Sequence, residues 1–62
     1  MEVGEKRKLV YFDSKQEKVI RGVVEDIDEF TVTIKPFNSD SNITIGKRVL
    51  LKSFPLGGNS NE

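Results

Sequence analysis

Lys18-Val19-Ile20-Arg21-Gly22-Val23-Val24-Glu25-Asp26-Ile27-Asp28-Glu29-Phe30-Thr31-Val32-Thr33-Ile34-Lys35 decides the fold. Two apolar-rich runs, Val19 to Val24 and Phe30 to Ile34, flank the acidic turn Asp26 to Glu29, which is the sequence form of a β-hairpin. In the second run Phe30, Val32 and Ile34 alternate with Thr31, Thr33 and Lys35. A period of two predicts a strand with one apolar and one polar face. In the first run β-branched residues crowd around Gly22. A glycine inside a strand marks a bend or bulge, because a residue without a side chain lets backbones approach closely. A long strand bent at Gly22 predicts a small barrel.

Working outward, Leu9 to Phe12 reads as a first strand, with four apolar residues in a row buried on much of both faces, and Asp13 to Lys18 as the turn into the hairpin. After Lys35-Pro36-Phe37, the polar run Asn38-Ser39-Asp40-Ser41-Asn42 predicts a loop. Ile43-Thr44-Ile45 resumes the alternation as a fourth strand ended by Gly46, and Val49 to Phe54 is a fifth, broken by Pro55. Five short strands with no helical period predict an all-β, five-stranded, strongly bent SH3-like barrel over residues 9–55; an OB-like barrel usually needs more chain. Residues 1–8 read as a flexible basic amino terminus, loose over Met1 to Glu5, and 56–62 as a disordered Gly/Asn/Ser-rich tail.

Composition narrows the function. A chain of 62 residues has a small core, and the usual staples are missing: it contains no cysteine and no histidine. The commonest metal ligands and the commonest general base are therefore absent. Self-association is the expected route to stability. Ten basic and ten acidic side chains give zero formal net charge, so any nucleic-acid binding must be local. Lys6-Arg7-Lys8 and Lys47, Arg48 and Lys52 are basic clusters, and Glu25 to Glu29 is acidic. No run has the apolar length of a membrane span and the charged amino terminus is not a signal peptide, so a cytoplasmic protein is expected.

The inventory for catalysis is thin. Asp26, Asp28 and Glu29 have the composition of a carboxylate acid-base or divalent-metal site, but equally that of a solvated loop. Asn42-Ile43-Thr44 matches the glycosylation acceptor pattern with no other sign of secretion. Gly57-Gly58 has no following helix to bind anions. A non-enzymatic protein without cofactor, metal or small-molecule substrate is expected. Phe30 after Asp28-Glu29, and Lys47-Arg48 after the fourth strand, are the parts a single-stranded RNA reader needs, since bases stack on aromatic faces and phosphates need cations. The plainer reading makes Phe30 a core residue of an alternating strand and Lys47-Arg48 a solvated turn.

The order of these features resembles the Sm-like family and looks closest to its bacterial Hfq branch. Gly22 through Lys35 follows the first family motif, with Gly22, Asp28 and Phe30 at matching spacing. Ile43 through Pro55 follows the second: strand, basic turn, apolar strand, proline. The resemblance implies a bent five-stranded sheet and a homo-oligomeric ring of five to seven subunits, in which the fourth strand of one subunit pairs with the fifth of the next. Ile43, Thr44, Ile45, Val49, Leu50, Leu51 and Phe54 would then form the oligomer interface. It also implies that Phe30 stacks a base of single-stranded RNA near the pore, that Lys47 and Arg48 form the basic turn beside it, and that Asp28 orders the loop. Glu29 stands where Hfq has a glutamine, Arg48 where it has a histidine, Gly46 where it has an aromatic, and Val32 where other members carry an asparagine. The Hfq amino-terminal helix does not fit before Leu9. The chain resembles a minimal form of the kind that compact phage genomes carry. The rival expectation is an SH3-like homo-oligomeric assembly module without RNA binding.

Overall fold

Gly22 sits where three strands meet. Strand β2 (Gln16–Ile27) pairs through its first part with β1 (Lys6–Asp13) and through its second with β3 (Thr31–Pro36), and at Gly22 both pairings overlap, Arg7 on one side and Pro36 on the other. A Cβ on Gly22 would strike the carbonyl oxygen of Lys35 and lie 2.7 Å from its carbonyl carbon and 2.8 Å from Pro36 Cα. These are backbone atoms that cannot rotate away. The glycine is therefore required by close approach of β3, as the sequence pattern anticipates.

Strands β4 (Ile43–Gly46) and β5 (Leu50–Pro55) complete one antiparallel sheet of order β4-β3-β2-β1-β5. This is a computed structural model that describes residues 1–56, with no helix among the described residues; of the tail expected to be disordered over 56–62, Leu56 N–H donates to Lys6 O at 2.9 Å, and 57–62 lie outside the described residues. The expected five strands form one sheet, which does not close on itself: β4 and β5 are its two edges. The sheet nonetheless rolls toward its inner face. A register shift between Val24 and Asp26 adds twist to β2, and another between Val10 and Tyr11 bends β1 against β5. The roll leaves a cleft of about 200 Å³ between β4 and the end of β1, lined by Tyr11, Phe12 and Val49 on one side and Ile43 and Ile45 on the other.

The concave side holds the core. Leu9, Ile20, Val24, Val32, Ile34 and Ile45, contributed by four strands, pack together, with Tyr11, Ile27 and Leu50 against them. No polar side chain among the described residues is buried, so the core carries no desolvation penalty. Val32 and Ile34 are fully buried, as the period of two requires.

Local structure departs from the sequence expectation at both ends of β1. Residues of the amino terminus are hydrogen-bonded to β2. Gly4 N–H donates to Val24 O at 2.7 Å, Val24 N–H donates to Glu5 O at 2.9 Å, and Gly4 adopts φ 91°, so residues 2–5 turn back and extend the pairing with β2. The Arg7 guanidinium then donates to Glu5 Oε2 at 2.8 Å and to Ser53 Oγ at 2.7 Å, tying that turn to β5. Strand β1 accordingly starts at Lys6, inside the stretch expected to be flexible. At the other end the turn expected over Asp13 to Lys18 contracts to Ser14-Lys15, whose φ values of 51° and 66° are those of a tight hairpin turn. Neither residue is glycine, which is why composition alone assigns a longer loop. Leu9 and Val10 are buried on opposite faces of β1, but Phe12 is exposed, so the expected burial does not reach the end of the strand.

Two outcomes test this packing. Gly22→Ala should destabilise the fold by about 3 kcal/mol, the upper range for overpacking against rigid neighbours, seen as a melting temperature lower by roughly 15 °C; a shift of a degree or two would refute the close approach. Glu5 is held below its ordinary value of 4.5 first by the Glu2 N–H that its carboxylate accepts and then by Arg7. A depressed carboxylate stabilises the fold above the unfolded value and loses that contribution as pH falls through the folded one. Acid titration of the melting temperature should therefore fall more steeply below pH 4.5 for the native chain than for Glu5→Gln.

Candidate nucleic-acid interface

The site implied by the sequence is assembled at one end of the sheet from two turns. After β2 the chain bends through Asp28, Glu29 and Phe30. Asp28 N–H donates to Thr31 O at 2.8 Å and Glu29 N–H donates to Asp28 Oδ1 at 2.7 Å, so the aspartate side chain caps its own turn. This local bond is a standard use of aspartate in turns. Between β4 and β5 the chain turns through Lys47, Arg48 and Val49, closed by Val49 N–H to Gly46 O at 3.1 Å and Leu50 N–H to Lys47 O at 3.3 Å.

The β3–β4 pairing brings the two turns together. Thr31 lies opposite Gly46, and one residue further Lys47 N–H donates to Phe30 O at 2.8 Å. Phe30 is thus adjacent to the basic turn although far from it in the chain. Its ring is 69% exposed and lies just outside β3, so the reading of Phe30 as a core residue does not hold. The alternation that runs through Val32 and Ile34 stops at Thr31, because the chain leaves the sheet there.

The charge at this end is mixed. Asp26, Asp28 and Glu29 share it with Lys47 and Arg48, and all five are exposed. Neither cation takes part in an ion pair among the described residues. No group of three or more carboxylate, histidine or cysteine side chains there is placed to hold a metal ion. The arrangement offers an aromatic face and two cations free of ion pairs among the described residues, beside three exposed carboxylates.

The residues implied as an oligomer interface fall on the two sheet edges. Ile43 and Thr44 of β4 are exposed at one edge; Leu51 and Phe54 of β5 are exposed at the other, with Val49 just before it. Ile45 and Leu50 instead face the core and hold the edges in place. Thr33 and Thr44 hydroxyls meet at 3.2 Å across β3 and β4 on the outer face. Phe37 is a further exposed aromatic, at the end of β3 beside Arg21. Its sequence signal, a large ring immediately before five small polar residues, is visible but points to no particular partner.

No family model, curated protein or solved structure matches the chain. Among the described residues no helix is long and apolar enough to cross a membrane.

Proposed function

We propose that this protein is a non-enzymatic, Sm-like, SH3-like small-barrel subunit that assembles into a homo-oligomeric ring of five to seven copies and binds single-stranded RNA at the turn formed by Phe30, Lys47 and Arg48. The observation that carries the reading is the pairing of an exposed phenylalanine with a basic turn across a single backbone hydrogen bond. A base stacked on Phe30 would place its phosphate within reach of Lys47 or Arg48. Asp28 fixes the turn, and Glu29 accepts hydrogen bonds from base amino groups without donating any.

Ring assembly is motivated by the open edges. Among the described residues, strands β4 and β5 each leave one side without a partner, and such edges invite pairing with another chain. Pairing β4 of one copy with β5 of the next is heterologous and closes without leaving an edge. It would cover Ile43, Val49, Leu51 and Phe54.

A second reading, an assembly module without RNA binding, is favoured by the carboxylates Asp26, Asp28 and Glu29 beside Phe30. One titration separates the two. Lys47→Gln with Arg48→Gln should weaken binding of labelled oligo-uridine about tenfold and lower the slope of log affinity against log salt by about 1.4, which is two phosphate contacts on a single strand. Folding and assembly should be unaffected, since both side chains are exposed. Unchanged affinity and slope would remove this turn from the RNA site.

A further inference from the structure

The net charge of zero conceals a face that is strongly basic. Residues directly opposite one another in neighbouring strands point to the same side of the sheet, so the register sorts the side chains. Leu9, Ile20 and Ser53 share the inner side. The outer side is built from three adjoining rows: Phe54, Lys8 and Arg21; Lys52, Val10 and Val19; Lys6, Val23 and Lys35. The Lys8 ammonium lies 5.6 Å from the Phe54 ring centroid, which fixes these two side chains on one face.

Five of the ten cations of the chain, Lys6, Lys8, Arg21, Lys35 and Lys52, therefore lie in one band four strands wide, and no carboxylate lies within it. The nearest strand carboxylates border its ends, Glu17 opposite Phe12 at one, and at the other Glu25, in the register shift next to the Val23–Lys35 row, and Asp26 opposite Thr33. None of the five cations belongs to either ion pair among the described residues, which join Arg7 to Glu5 and Lys18 to Asp13. The band is also bracketed by aromatics. Phe54 begins the row that runs through Lys8 and Arg21, and Phe37, whose N–H donates to Arg21 O at 3.1 Å, ends it. Phe37 is 56% exposed and, with Val19, Arg21 and Asn38, lines a cleft of about 300 Å³. Phe54 and Phe37 stand about three strand spacings apart, roughly 14 Å.

We infer that this outer face is a binding surface for single-stranded nucleic acid, separate from the Phe30 turn: Arg21, Lys35 and Lys52, with Lys6 and Lys8, contact phosphates, and Phe37 stacks a base in the cleft beside Arg21. The inference stands on the charge sorting of the sheet and does not rest on the reading of the Phe30 turn. Three classes of polyanion fit a basic face, and shape and chemistry choose among them. The core lies on the concave side, so the basic face is convex; a planar lipid bilayer would meet it along a line, whereas a flexible strand follows it. An acidic peptide would satisfy the cations but gives no specific use to an exposed ring beside an arginine-lined cleft. A single strand uses both.

The test is anisotropy of a short fluorescein-labelled oligo-uridine against the full chain over a range of salt, with melting curves confirming that each variant folds. The triple variant Arg21→Gln, Lys35→Gln and Lys52→Gln should lose at least about tenfold in affinity and lower the salt slope by about 2. Phe37→Ala should lose affinity with the salt slope unchanged, because stacking releases no counterions. A control variant, Lys15→Gln with Lys18→Gln at the hairpin end, should behave like the native chain. The variant at Lys47 and Arg48 changes its own share independently, so failure of one surface is distinguishable from failure of the other. Unchanged affinity and slope in the triple variant would overturn the inference. Equal binding of poly-glutamate or of anionic phosphatidylserine vesicles, lost in the same variant, would overturn it in favour of an acidic protein or a membrane.

Discussion

The close approach of β2 and β3 at Gly22 is the constraint on which the rest of the structure depends. Only a residue without Cβ allows the Lys35-Pro36 backbone to come this near. Because it does, β2 serves two partners in succession, β1 through its first part and β3 through its second. A short chain thereby rolls five strands around one cluster of apolar side chains instead of laying them flat. The roll brings Leu9 of β1 and Ile45 of β4 into the same core, although the two strands do not pair. Flat sheets of this size have no such concave side.

Rolling without closing has two consequences. The concave side consumes the apolar residues that alternate along the strands, leaving the convex side to the residues between them, which include half of the cations of the chain. The zero net charge and the basic face are therefore compatible, because Asp28, Glu29 and Asp40 lie outside the strands and Asp13, Glu17 and Asp26 near strand ends, while five of the ten cations share one face. The second consequence is a pair of unsatisfied edges carrying exposed Ile43, Leu51 and Phe54. A core of so few residues supports only a few kcal/mol of stability, so covering those edges with another copy adds burial where the single chain lacks it.

Much of this was legible in the residues and some was not. The bend at Gly22, the five strands and the alternation through Val32 and Ile34 follow from local chemistry: a glycine among β-branched residues and a period of two. Phe30 was ambiguous, because an aromatic at the end of an alternating run fits either core or surface, and only the point where the chain leaves the sheet decides. The amino-terminal turn was not legible, since it is held by Gly4 N–H donating to Val24 O, Val24 N–H donating to Glu5 O and Arg7 donating to Ser53, all pairs distant in sequence. That β4 and β5 would be edges was implied by the family resemblance, whereas how far the sheet rolls depends on contacts between strands distant in sequence. The basic face required the register, because Lys8, Arg21 and Lys52 become neighbours only when the strands are aligned.

The measurement that tests the account most directly is the mass of the protein in solution, by light scattering on a nuclease-treated sample at micromolar concentration. If the two open edges are covered by copies of the same chain, the particle should have five to seven times the 7.0 kDa mass of one chain and should keep that mass without RNA. A monomer or a dimer would contradict the account, since neither allows every β4 edge to meet a β5 edge in a closed ring.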